Sequence, residues 1–161
     1  MMSTILRLLL VIVFALSVHP KELRTTGATP AQPTPPSVIG SWRGDSTCVG
    51  DRPACKNEDV VYRFEAVAGE PGFVMLLADK IIDGKRQPMG MLKFEYDEVK
   101  GTLACDFTIR QTHGLLEFKI DGDVIEGTLV LLPDKTIGRR IKVKRVSEDQ
   151  LPPAPARELY G

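Results

Sequence analysis

Histidine and aromatic side chains are scarce in this sequence. The 161 residues include 2 His, 1 Trp, 3 Tyr and 6 Phe. His19 lies just after a short apolar run and His113 lies in a predicted turn, and neither is accompanied by a nucleophile motif of the Ser-His-Asp or Cys-His kind. A phosphate-binding glycine loop and a dinucleotide fingerprint are missing as well. We therefore expect a protein that is not an enzyme and needs no cofactor.

The formal net charge is zero, because 21 lysines and arginines balance 21 aspartates and glutamates. The most basic stretch, residues 139–145, has no interleaved aromatic residues on which bases could stack. We therefore expect no nucleic-acid partner. On a strand, Arg140, Lys142 and Lys144 would share one face. This basic stripe is interpreted as a soluble outer face, with an anchor to an anionic partner in the cell envelope as the alternative.

Cysteine is limited to three residues, two of which lie close together. Cys48 and Cys55 bracket a turn-forming Gly-Asp-Arg-Pro sequence that can bring their sulfur atoms within bonding distance. In an oxidising compartment this spacing predicts a disulfide, which would stiffen the loop after the first strand. A metal site is disfavoured here, because no histidine and no second cysteine pair accompany Asp51, Glu58 and Asp59.

Residues 1–17 have the pattern of a secretory signal. Arg7 precedes an unbroken apolar run from Leu8 to Leu16, and Ala15 and Ser17 supply small residues for cleavage after Ser17. An uncleaved anchor is the alternative, but the run is well short of the roughly 20 apolar residues that cross a bilayer as a helix. We expect a periplasmic or secreted protein with no membrane span after cleavage.

Proline-rich stretches flank the rest of the chain. Residues 18–37 are rich in Thr, Pro, Ala and Gln, and their prolines remove backbone donors that a sheet would use. We predict a disordered linker there and a disordered Pro-rich tail at 148–161, where Pro152, Pro153 and Pro155 recur. The folded domain is then 38–147.

Apolar and polar residues alternate across this domain with the period of a β-strand. Val60, Tyr62 and Phe64, for example, share one face, and residues 61, 63 and 65 share the other. Turn sequences rich in Gly, Asp and Pro separate about eight such segments, and no stretch has a helical period. We predict an all-β domain of eight antiparallel strands in up-and-down order that closes into a barrel, since closure removes exposed edges. A β-sandwich is the alternative.

Gly40-Ser41-Trp42, at the start of the first predicted strand, resembles the Gly-x-Trp motif that opens the calycins, which are the lipocalin, fatty-acid-binding and avidin-like barrels. The resemblance implies that Trp42 packs under the barrel floor against an arginine of the last strand, either Arg139 or Arg145. The Arg-x-Tyr pair of fatty-acid-binding proteins is not found in this sequence, so no particular lipid is implied.

The predicted inward faces carry most of the aromatic residues. An eight-stranded barrel is just wide enough to be filled by side chains or to hold one small ligand. We expect a small apolar or amphipathic ligand inside it, in contact with Tyr62, Phe64, Phe94, Cys105, Phe107 and Phe118. For Cys105 a small buried hydrophobe is the simpler interpretation. Residues 73–78 are apolar on both faces, so their outer face is a candidate partner surface. The alternative function is a protein-binding module, such as a hydrolase inhibitor, acting through the Cys48–Cys55 loop.

Overall fold

The domain is a closed barrel of eight antiparallel strands. A computed structural model describes residues 37–160, so the predicted signal segment and residues 18–36 of the predicted linker lie outside the described residues. Each strand pairs with the next one along the chain, and the last pairs with the first. The strands are β1 (Gly40–Cys48), β2 (Glu58–Ala66), β3 (Phe73–Ile82), β4 (Lys85–Asp97), β5 (Thr102–Ile109), β6 (Thr112–Asp121), β7 (Val124–Leu132) and β8 (Thr136–Val146). The predicted all-β, up-and-down barrel is confirmed.

Aromatic rings fill the middle of the barrel. The rings of Phe94 and Phe118 stack with their centroids 5.4 Å apart, and Phe64 meets them edge-on at 6.1 and 6.4 Å. Stacked and edge-to-face contacts of this kind are the favoured arrangements of aromatic pairs. Opposite Phe118 on β7 lies Gly127, where a Cβ atom would fall 2.2 Å from the carbonyl oxygen of Glu117. The glycine therefore leaves the space that the Phe118 ring occupies.

One end of the barrel, which we call the closed end, is sealed by Trp42. The β2–β3, β4–β5 and β6–β7 turns lie at this end, as follows from the up-and-down order. Trp42 is fully buried and donates a 2.8 Å hydrogen bond from Nε1 to the carbonyl oxygen of Val38. The guanidinium of Arg145 lies 4.1 Å above the Trp42 ring, and the two residues are partners in the β1–β8 register. Of the two arginines that the resemblance allows, Arg145 is the one that packs on the tryptophan.

The opposite end, the open end, carries the β1–β2, β3–β4, β5–β6 and β7–β8 connections. Arg139 lies in the half of β8 nearer this end, opposite Cys48 in the register. Two strand boundaries differ from the alternating pattern. β4 begins at Lys85, and His113 lies within β6, because Arg110 and Gln111 form the preceding turn with Arg110 at φ 55°.

Residues 147–160, which we call the C-terminal segment, lie against the outside of the barrel. The sequence predicts a disordered tail from residue 148, whereas the structure describes two short 3-10 helices, Glu148–Gln150 and Arg157–Tyr160. Tyr160 is buried, and Arg157 forms an ion pair with Glu65 of β2. Such contacts explain why this proline-rich stretch has a defined path.

The C-terminal segment lies over a face of the barrel that is apolar and also holds a buried ion pair. Val61 and Leu77 alternate with core residues and so face outward, yet both are fully buried. Asp79 and Arg86 lie on the same face, with 2.6 Å between Oδ2 and Nη2 and no exposed side-chain surface on either. Glu148 of the C-terminal segment approaches the same guanidinium at 3.1 Å. This outer face is thus covered by the chain itself.

Candidate functional site

Strands β4 and β5 separate toward the open end. Only three residue pairs join them, all near the closed end: Glu95 with Ala104, Tyr96 with Leu103, and Asp97 with Thr102. Beyond these pairs β4 is bonded on one side only, to β3, and β5 is bonded only to β6. The barrel wall therefore has a lateral gap at this point, within the part of the chain that the structure describes.

A cleft of about 220 Å³ extends from this gap into the open half of the barrel. Met89 of β4 and Ile109 of β5 border the gap, and both are more than a third exposed. Most of the deeper lining is apolar, and it comprises Tyr62, Leu76, Ala78, Leu92, Phe107, Leu116, Leu129 and Ile141. A concave, mostly apolar site with a few polar groups is the usual form of a small-molecule site. We refer to it below as the cleft.

The polar part of the cleft is a cluster around Arg139. Its Nε donates a 2.7 Å hydrogen bond to Ser46 Oγ, and its Nη2 lies 2.7 Å from Glu58 Oε2. Nη2 also contacts the carbonyl oxygens of Ser46 at 3.1 Å and Lys56 at 2.8 Å. The side chains of Arg139 and Glu58 are only 18% and 26% exposed, so this ion pair is screened from water more than a surface pair would be.

Tyr62 lies beside this cluster. Burial raises the pKa of its hydroxyl to about 12, and the positive charge of Arg139 offsets only part of that rise. The hydroxyl is therefore protonated at neutral pH and carries no charge. With Arg139 and Glu58 paired, the cleft as a whole has no net charge.

The structure divides the six residues that the sequence assigns to a ligand. Tyr62 and Phe107 line the cleft. Phe64, Phe94, Cys105 and Phe118 are buried in the packed core and do not line it. For Cys105, burial raises the pKa of the thiol, which agrees with its interpretation as a small buried hydrophobe. The cleft is thus nearer the open end than the aromatic pattern suggests.

The predicted disulfide between Cys48 and Cys55 is confirmed, and it lies next to Arg139 of the cleft. Arg139 Nη1 lies 3.4 Å from Cys55 Sγ, and Arg52 donates to the carbonyl oxygen of Gly138. Val49 also donates its N–H to that carbonyl at 3.1 Å. These contacts tie the loop to β8 and hold the partners of Arg139 in place.

The basic stripe lies on the outside of β8, away from the cleft. Lys142 forms a 2.6 Å ion pair with Glu126 and lies opposite Asp45 in the β1–β8 register. Because acidic residues flank the middle of the stripe, its field toward an anionic partner is weakened. Two depressions on this outer surface are lined mainly by charged and polar side chains, together with Ile120, Val124 and Ile141.

His113 pairs with Asp106 at 2.7 Å on the exterior of the barrel, where both side chains are exposed. Among residues 37–160, no group of His, Cys, Asp and Glu side chains is arranged to hold a metal ion. The same residues include no helix that is both long and apolar enough to cross a membrane.

No family model, curated protein or solved structure matches this chain. The sequence interpretation assigns none of the polar residues in the cluster around Arg139 to a ligand. Arg139 is named only as a candidate partner of Trp42, and Glu58 only in a disfavoured metal site. The alternation of inward and outward positions nevertheless marks these polar residues. Ser46 is an even number of residues from Trp42 on the same strand, as Glu58 is from Tyr62 and Arg139 from Ile141, so each polar residue shares the inward face of its apolar neighbour. A polar residue at an inward position of a strand is the signal that would have found them.

Proposed function

We propose that this protein is an exported, non-catalytic binding protein that holds one small apolar or amphipathic molecule in the cleft. The observation that carries the proposal is the combination of a lateral gap between β4 and β5 with an apolar lining of about 220 Å³ behind it. A gap supplies an entry path, and the apolar lining supplies binding energy in proportion to the surface removed from water.

The size of the cleft limits the ligand. An apolar cavity of about 150 Å³ accommodates benzene, and pockets for drug-sized ligands begin at about 300 Å³. The cleft lies between these values. It suits a molecule of one or two rings, or a short acyl chain, better than a long-chain lipid.

Export and calycin kinship are part of the same proposal. The Cys48–Cys55 disulfide is compatible with an oxidising compartment, as the signal pattern predicts. The eight-stranded barrel and the stacking of Arg145 on Trp42 are compatible with a calycin-like fold. Both features support a periplasmic or secreted carrier or receptor of a small molecule.

The test is to fill the cleft. Ala78 faces the cleft, and Ala78→Phe would add a phenyl ring to it. Ala104 lies on β5 outside the cleft lining, so Ala104→Phe is the matched control. We expect a neutral two-ring solvatochromic probe such as prodan, a substituted naphthalene, to bind the wild-type protein and Ala104→Phe, and to lose binding to Ala78→Phe. Equal binding of the probe by both variants would show that the probe binds outside the cleft.

The ligand itself can be sought by native mass spectrometry of the protein isolated from its own compartment. A carried molecule would appear as extra mass that disappears on unfolding. The wild-type protein would show this mass and Ala78→Phe would lack it. A bare mass for the wild-type protein, with no probe binding, would count against the proposal.

The loop between Cys48 and Cys55 supports a second candidate, a protein-binding module such as a hydrolase inhibitor. The loop is exposed at Asp51, Pro53 and Ala54, and the disulfide and the Arg52 contact hold it to the barrel. A loop held in one conformation loses little entropy when it binds. Loss of a protein partner in Cys48→Ser, with the barrel intact, would favour this candidate over the cleft.

A further inference from the structure

We infer that the cleft selects neutral ligands and discriminates against carboxylates of the same shape. The inference rests on the proposed function, since it concerns the ligand class of the same site. Its basis is that Arg139, the only cation in the cleft lining within the described structure, already uses Nε and Nη2 for hydrogen bonds and has its charge paired with the Glu58 carboxylate.

The hydrogen bonds of Arg139 leave little for an incoming anion. A guanidinium has five N–H donors. Nε is directed at Ser46, Nη2 at Glu58 and at two carbonyl oxygens, and Nη1 is 3.4 Å from Cys55 Sγ. A ligand carboxylate that took over the Nη2 hydrogen bonds would displace Glu58, and this partly buried carboxylate would then lose its counter-ion.

The alternative for an anionic ligand is to bind beside the intact pair. It would then lie close to the Glu58 carboxylate, and the two like charges would repel each other in a partly water-free site. The apolar lining offers no compensation for the lost hydration of the ligand's charge. A neutral hydroxyl group of a ligand has neither the repulsion nor the lost hydration of a charge. The protonated Tyr62 hydroxyl and the Glu58 carboxylate belong to the same lining and could form hydrogen bonds with it.

Naphthol and naphthoate, substituted at the same ring position, make a matched pair of probes. Both have the same ring system, and at neutral pH the first is neutral while the second is an anion. Titration calorimetry of the wild-type protein should show naphthol binding at least about tenfold more tightly than naphthoate, which corresponds to about 1.4 kcal/mol.

Glu58→Gln tests the cause of the selectivity. Glutamine keeps the shape and can still accept a hydrogen bond from Arg139, but it leaves the guanidinium charge uncompensated. We expect the ratio of naphthoate affinity to naphthol affinity to rise at least about tenfold in this variant. Asp59→Asn is the control, because it removes the same charge from the neighbouring residue of β2, whose carboxylate pairs with Arg43 outside the cleft. It should leave the ratio unchanged.

The outcomes separate the inference from the proposed function. If the wild-type protein binds naphthoate as tightly as naphthol, the cleft still binds small molecules but the neutral selectivity is refuted. If Glu58→Gln and Asp59→Asn change the ratio equally, the selectivity comes from overall charge and the role assigned to Glu58 is wrong. If neither probe binds the wild-type protein, the proposed function fails and the inference fails with it. Thermal unfolding of each variant verifies that it is folded.

Discussion

Breaking the buried ion pair between Asp79 and Arg86 should be among the most damaging single changes to this barrel. Asp79→Ala would leave the Arg86 guanidinium without its 2.6 Å partner, on a side chain with no exposed surface. Its other partner, Glu148, is half exposed and 3.1 Å away. Removing one member of a buried pair costs about 3–5 kcal/mol, because the remaining charge stays buried. The half-exposed Glu148 would compensate the charge of Arg86 only in part.

That cost is a large fraction of the stability of a domain this size, which is about 5–15 kcal/mol. At about 3–5 °C for each kcal/mol, the midpoint of thermal unfolding should fall by about 10–25 °C. Circular dichroism at increasing temperature measures this fall. Asp79→Leu combined with Arg86→Met should recover much of the loss, since apolar replacements of a buried pair are often neutral or stabilising.

Arg43 of β1 and Asp59 of β2 form an exposed ion pair that supplies the control. Their distance of 2.7 Å is similar, but their side chains are 38% and 39% exposed. Asp59→Ala should therefore cost at most about 1 kcal/mol, or a few degrees. Equal shifts for Asp79→Ala and Asp59→Ala would show that the C-terminal segment does not shield the Asp79–Arg86 pair from water, and the reasoning would be refuted.

Three further predictions concern the loop, the closed end and the tyrosines. Replacing Cys48 and Cys55 together by Ser should cost about 2–3 kcal/mol, because the bond closes a loop of sequence separation 7 and restricts the unfolded chain. Thermal unfolding of this variant and of the wild-type protein in reductant should agree, and an unchanged midpoint would contradict the assignment. Trp42→Phe should cost about 1–3 kcal/mol in urea unfolding, since it leaves the buried Val38 carbonyl without its donor and weakens the Arg145 contact. Burial raises the pKa of Tyr62 and of Tyr160 to about 12, with Asp79 contributing at Tyr160. The pKa of a tyrosine in the unfolded chain is about 10. The stability that the two buried, protonated hydroxyls contribute is therefore complete below pH 10 and is lost as the pH rises through 12. Phenolate absorbance should accordingly appear at a lower pH in denaturant than in the native protein.

The strand order of the barrel is readable from the sequence, but its register is not. The alternation of apolar and polar residues along β2 predicts that Tyr62 and Phe64 face inward, since a shift of one residue in the strand register would expose both side chains to solvent. Arg139 and Arg145 have the same inward parity, so parity alone does not say which one meets Trp42. The antiparallel β1–β8 pairing decides, because it places Arg145 opposite Trp42 and Arg139 opposite Cys48.

The first half of β4 lacks the alternating pattern of a strand for a physical reason. Pro88 and Gly90 are both unfavourable in a paired strand, so residues 85–91 have little strand character. They are tolerated because β5 does not pair with this part of β4, which makes it an edge. Pro88 is accordingly a sequence signal for the lateral gap, and the gap is what gives the cleft its entrance.

The sequence also indicates that the outer face of β3 needs a cover. Residues 73–78 are apolar on both faces, and such a strand needs a partner on each side. The C-terminal segment supplies the outer cover, although its prolines predict disorder. The amino-acid composition of a segment indicates whether that segment is ordered on its own. It does not show whether another part of the chain offers an apolar face against which the segment can pack.

The two halves of the barrel interior follow different rules, and the difference bears on function. Toward the closed end, Phe64, Phe94 and Phe118 fill the space as a stability argument requires. Toward the open end, the interior keeps a charged pair, Arg139 with Glu58, where apolar side chains would be as stable or more so. Proteins depart from consistent packing mainly at functional sites. The pair lies in the same half of the barrel as the lateral gap and the unfilled volume, so three departures from an idealised barrel coincide in the cleft.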